Sequence, residues 1–179
     1  VWLQHRSDPA ILHIDAAGEI VKRVDVTFAS SHGLCQDADG NLWAVDSGPF
    51  GDTPGVTGVK GNQVFKFDQS GKLLLTLGKA GVSQAGNDTF LQPTACRATP
   101  DGNIVIADGH WPRPKANPQD GDRLVWYSRD GKFIKAPTKE QGQNLPPSAG
   151  LQFFGIVDID DKTEQMTVRL MDRGDKELY

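Results

Sequence analysis

A chain of 179 residues is about one domain long, and no run of about 18 apolar residues occurs in it, which excludes a membrane-spanning helix. The net charge is -4 and the 19 Lys and Arg are scattered, so there is no basic footprint for nucleic acid. The 20 Gly and 11 Pro fall at regular intervals, a density of turns that favours short strands over long helices.

Val1 opens the chain without a Met or a signal peptide, which reads as a mature form or a fragment. Residues 1–5, 11–15 and 19–24 read as strands, the last two joined by Asp15-Ala-Ala-Gly18. Four more follow at 32–37, 41–46, 63–68 and 72–77, with turns at Asp37-Ala-Asp-Gly40 and Asp68-Gln-Ser-Gly71. A further four, at 94–99, 103–108, 123–128 and 132–135, turn at Thr99-Pro-Asp-Gly102 and Ser128-Arg-Asp-Gly131. Glycine after a polar residue, between apolar runs, is a hairpin signal because it accepts the positive φ of tight turns. Lys135 to Gly150 is rich in Pro, Gln and Ser and reads as a linker. Beyond it, 153–159 and 165–170 form a hairpin with Asp160-Asp-Lys-Thr-Glu164 as the turn.

The strand sets repeat. Asp46 to Asp108 is 62 residues and Gly71 to Gly131 is 60. Four short antiparallel strands at fixed period make a β-propeller blade, with strands a to d running outward from the channel. The unit exceeds the roughly 40–50 residues of common propeller repeats because of insertions at Gly48 to Gly61 and Gly109 to Gly121. The expected fold is therefore all-β: a partial β-propeller of about three four-stranded blades over residues 1–135, a linker at 136–150 and a C-terminal β-hairpin in 151–179. The first blade lacks strand a. A propeller needs at least four blades, so the reading implies missing blades or self-association through open strand edges.

Trp43, Val45, Val64, Phe65, Phe67, Leu75, Ile104, Ile106, Val125 and Trp126 are the expected inter-blade core. Cys35 and Cys96 hold nearly equivalent places on strand a of adjacent blades. Inner strands that diverge from the axis would keep them apart, so the expectation is two free thiols.

Strands a and b are antiparallel, which puts the start of a and the end of b on one rim. His32 opens strand a of the second blade, and the b strands end at His5-Arg6, Asp46-Ser47 and Asp108-Gly-His110. Both insertions leave from that rim, so these residues could wall a pocket. Asp46 and Asp108 are equally read as groups that bond backbone amides of the following loops. Arg6 and His110 have the plain alternative of solvated loop side chains, and His32 that of a hydrogen-bonded rim histidine. One His is not a metal site, since zinc normally takes at least three protein ligands. Asp158, Asp160 and Asp161 read as a solvated turn and not a calcium loop.

Ser31-His-Gly-Leu34, Asp39-Gly-Asn-Leu-Trp-Ala-Val-Asp46, Gln63-Val-Phe-Lys-Phe67, Leu74-Leu-Thr-Leu-Gly78, Gln92-Pro-Thr94, Ala107-Asp-Gly109 and Asp130-Gly-Lys-Phe133 resemble NHL-repeat propellers. More narrowly, they resemble the peptidyl-α-hydroxyglycine α-amidating lyases, over residues 1–135. The resemblance implies a six-bladed propeller with a zinc on the axis and a calcium deeper in the channel. His32 then falls on one of three zinc histidines, Leu34 on a residue offering its carbonyl to calcium, and Arg6 on the catalytic arginine. His110 stands where the family has its catalytic tyrosine, and Leu91 and Trp111 stand where animal enzymes have a disulfide. The other two zinc histidines belong to later blades. Phe153-Phe-Gly, Met166-Thr-Val-Arg-Leu170 and Lys176-Glu-Leu-Tyr179 resemble the end of alkaline phosphatase D-type phosphodiesterases, as a fused or misassembled reading frame would.

The resemblance implies a lyase-related fragment. Its reaction is C–N cleavage of a hydroxyglycine adduct to a peptide amide and glyoxylate, with an incomplete zinc site and no turnover by this chain alone. The alternative is a non-catalytic NHL scaffold. The expected partners are a small peptide-like substrate or a protein ligand on the rim, with no nucleic acid and no membrane span, in a secreted or periplasmic setting.

Overall fold

The computed structural model describes residues 1–48, 60–110, 123–136, 153–172 and 177. Among them there is no helix, and every strand pairing within the sheets is antiparallel. The chain divides into two compact units, 1–137 and 138–179.

The first unit holds three sheets. β1 (Trp2–Gln4), β2 (Ile11–Ile14) and β3 (Ile20–Val24) form the first, in that order. β4 (Ser31–Gln36), β5 (Leu42–Asp46), β6 (Gln63–Phe67) and β7 (Leu73–Leu77) form the second. β8 (Pro93–Ala98), β9 (Ile104–Asp108), β10 (Arg123–Tyr127) and β11 (Phe133–Lys135) form the third. Each is a meander in which sequential strands pair, matching the expected strands to within about a residue or two. The insertions 48–61 and 109–121 lie outside the described residues except at their ends, and so does most of the linker 136–150.

All five signalled turns form. In the turn at 37–40, the Gly40 amide donates to the Asp37 carbonyl at 3.0 Å, with Gly40 at φ +82°. Asp37 Oδ1 accepts from the amides of Asp39 and Asn41, so the side chain imitates a second turn of backbone. At 128–131 a hydroxyl does the same work, the Lys132 amide donating to Ser128 Oγ at 2.9 Å.

The sheets pack face to face. Ile11 and Val24 of the first meet Leu42, Ala44 and Phe67 of the second. Trp43, Val45, Val64 and Leu77 on the other face of the second sheet meet Ile104, Ile106, Val125 and Tyr127 of the third. Of the expected core, Phe65, Leu75 and Trp126 are only half-buried. Trp126 pairs with Val105, so it lies on the face of the third sheet opposite Ile106 and Val125.

Cys35 and Cys96 form a disulfide, with Cα atoms 5.8 Å apart, and this corrects the expectation of two free thiols. Two features explain it. The separation of the two residues is 61, one short of the 62-residue repeat, and in a strand one residue changes the face. Cys35 therefore sits beside Trp43 and Cys96 beside Ile106, on the two faces that meet. The inner strands also converge where divergence was expected. A Cβ on Gly33 would lie 2.6 Å from the Thr94 carbonyl oxygen, so only glycine allows this approach of β4 to β8.

The second unit contains the hairpin of β12 (Phe153–Asp160) and β13 (Gln165–Asp172), in continuous register from Phe153↔Asp172 to Asp160↔Gln165. Asp160 Oδ1 accepts from the Lys162 and Thr163 amides, and Asp158 pairs with Arg169. Asp158 and Asp160 thus serve the hairpin and its turn.

Candidate functional site

The candidate residues gather where β1, β5 and β9 end and β4 and β8 begin. Gln4 Nε2 donates to the Val45 carbonyl at 2.9 Å, which puts the end of β1 beside the end of β5. Arg6, two residues on, is exposed and lines a pocket of about 290 Å3. Phe28, Ser30 and Ser31 form another wall of that pocket.

His32 follows Ser31 at the start of β4. Its Nδ1 donates to the Thr94 carbonyl at 2.8 Å, which fixes the ring. The rings of His32 and His110 meet edge to face, with centroids 5.5 Å apart. Repeat phase thus brings together two histidines that are 78 positions apart in the sequence (110 - 32).

Asp46 and Asp108 are at the same end but face inward, each 1% exposed. Asp46 accepts from the amides of Ala29, Ser30 and Gly48. Asp108 accepts from the amides of Leu91 and Gln92 and forms an ion pair with Arg123 at 2.7 Å. The amide-bonding reading is therefore the right one for both. Most of the amides precede strand a, whereas the sequence pointed to the loop that follows strand b.

Sequence reasoning missed Arg123, whose Nη2 also donates to the Gly86 and Thr89 carbonyls and ties the 86–89 loop to the third sheet. It also missed the pocket wall at 28–31. The available signal was that Ala29-Ser30 precedes Leu91-Gln92 by one 62-residue period, just as Asp46 precedes Asp108. Tyr127 seals the same loop by donating to the Asn87 carbonyl at 3.0 Å, and burial pushes its hydroxyl up to about 12.

Leu34 pairs with Ala44 and packs half-buried between the first and second sheets. Of the zinc ligands that the resemblance implies, the described residues carry His32. No three His, Cys, Asp or Glu side chains among them come together, and the two nearby carboxylates are committed to amides and Arg123.

No protein-family model matches the chain, and neither does any curated protein. Among solved structures it is similar to a crystal structure of a protein of unknown function from Bacteroides caccae, at 14% identity and a TM-score of 0.46. The similarity covers 94% of this chain, which spans 57% of the length of that protein. No helix of the described residues is long and apolar enough to cross a membrane.

Proposed function

We propose that residues 1–135 are NHL-type β-propeller blades related to the peptidyl-α-hydroxyglycine α-amidating lyases, and that their rim binds a small peptide-like ligand through its carboxylate. The observation that carries this reading is the pocket walled by Arg6 and Ser31, next in the chain to His32, whose ring approaches that of His110. A guanidinium among the residues lining a small concave site suits a carboxylate, which it can grip through two parallel N–H bonds. Face-to-face packing of successive four-stranded meanders supports the propeller part of the reading.

Binding without turnover is the proposed behaviour of this chain alone. His110 replaces the tyrosine of the lyases, and His32 is the only zinc ligand carried over from the resemblance. Calcium at the Leu34 carbonyl belongs to the same proposal. A secreted or periplasmic setting is supported by the Cys35–Cys96 bond, since such bonds persist in oxidising compartments. A non-catalytic scaffold for a protein ligand is the second reading, favoured by the commitment of Asp46 and Asp108 to structure.

Calorimetric titration of a short peptide ending in a glycine carboxylate, against the same peptide amidated, tests the reading. Binding is expected for the carboxylate form only, is lost in Arg6→Ala, and is accompanied by no glyoxylate release from a hydroxyglycine peptide. Equal binding of the amide, or full binding by Arg6→Ala, would favour the scaffold. Dialysed protein should retain far less than one equivalent of zinc; a full equivalent that His32→Ala abolishes would restore the enzyme reading.

A further inference from the structure

Register allows the faces of the three sheets to be compared position by position. Ile11 pairs with Val24 as Val64 pairs with Leu77, and each pair packs against the following sheet. Asp108 pairs with Arg123 as Asp46 pairs with Gln63. On the third sheet the places of Trp43, Val45 and Val64 are therefore taken by Val105, Ala107 and Leu124, and this face points out of the row of sheets. Leu124 is 46% exposed there, beside half-buried Val105, Ala107 and Trp126.

One cross-strand slot of this face carries a tryptophan in every sheet: Trp2 opposite His13, Trp43 opposite Lys66, and Trp126 opposite Val105. Trp2 and Trp43 are packed against the next sheet. On the second sheet, Lys66 in this slot needs an ion pair with Asp37 to be buried. On the third sheet Trp126 replaces the lysine and Thr99 replaces the aspartate, while Arg97, opposite Val105, and Lys135, whose ammonium lies 5.0 Å from the Trp126 ring centre, border the face.

At the other end of the row the first sheet presents the complementary kind of face. Leu3 and Ile20, 42% and 40% exposed, flank half-buried Ile14 and buried Leu12. These hold the places of Ala44, Leu73, Phe67 and Phe65 on the second sheet, three of which pack on the first.

We infer that the outward face around Leu124 and Trp126 docks on the Leu3 and Ile20 face of a second copy of the chain. Contacts of this kind already form twice within each copy. In a twofold pair the head of each copy meets the tail of the other, so both outward faces are covered and the assembly closes. The inference rests on sheet register and not on the ligand reading above.

Sedimentation equilibrium of the full chain, at micromolar concentration, is the test. The wild type should sediment at twice the chain mass. Trp126→Glu and Leu3→Asp should each halve that value with an unchanged far-UV circular dichroism spectrum. Leu124→Asp, at the most exposed site of the face, replaces Trp126→Glu should the latter not fold. Mixing Trp126→Glu with Leu3→Asp restores one unaltered contact per pair, so dimer should reappear. A monomeric wild type, an open series of larger species, or variants that stay dimeric would overturn the proposal.

Discussion

Asp46 and Asp108 grip equivalent amides of successive sheets: Asp46 accepts from Ala29 and Ser30 at 2.9 and 2.8 Å, and Asp108 from Leu91 and Gln92 at 3.0 and 2.8 Å. Each carboxylate thereby closes the end of strand b onto the entry to strand a. The residues that shape the candidate site, Ser30 and Ser31 among them, are held by this contact.

Asp108 carries the larger burden, because its second partner is the guanidinium of Arg123, whose side chain is 9% exposed. Asp108→Ala leaves the guanidinium without its counter-charge, and its Nε and two amides without an acceptor, and should cost about 3–5 kcal/mol in urea unfolding. A loss below about 1 kcal/mol, the scale of a surface pair, would show that the contact is not buried in solution.

The Cys35–Cys96 bond closes a loop of 61 residues between two sheets. Removing it should cost about 2–4 kcal/mol, read as a lower unfolding midpoint under dithiothreitol and in Cys35→Ser with Cys96→Ser. Thiol titration of the unfolded, unreduced protein should return none. Two thiols per chain would contradict the bond.

The sequence discloses the strands and turns because each strand pair is local and each turn carries its own glycine. Longer-range matters were less legible. The disulfide depends on whether 61 or 62 residues separate two side chains, a difference that matters only once the sheets are known to pack face to face. Trp126 reads as core in a list of apolar residues, yet alternation puts it on the open face. The ends of strand b marked Asp46 and Asp108, but a carboxylate that braces a loop and one that lines a pocket look alike in sequence. His32 and His110 were placed on one rim by repeat phase alone, and the 5.5 Å ring contact agrees with that placement.

Tyr127 supplies a test at high pH. Its folded-state pKa of about 12 stands above the ordinary 10.0, chiefly because burial disfavours the phenolate. The unfolded chain ionises first, so the contribution is full below about pH 10 and is lost as pH rises toward 12. The loss should reach roughly 2–3 kcal/mol. Tyr127→Phe should be less stable near neutrality, lacking the bond to Asn87, and should show a shallower alkaline decline. Identical slopes for the two proteins would mean that Tyr127 is solvated.

Side-chain NMR tests most directly the proposed rim site of Arg6, His32 and His110. On titration with a peptide ending in a glycine carboxylate, the imidazole resonances of His32 and His110 and the guanidinium resonance of Arg6 should shift together with a single dissociation constant. His13, stacked on Trp2 in the first sheet, should not move. Shifts confined to Arg6, or none at any of the three residues, would contradict the account.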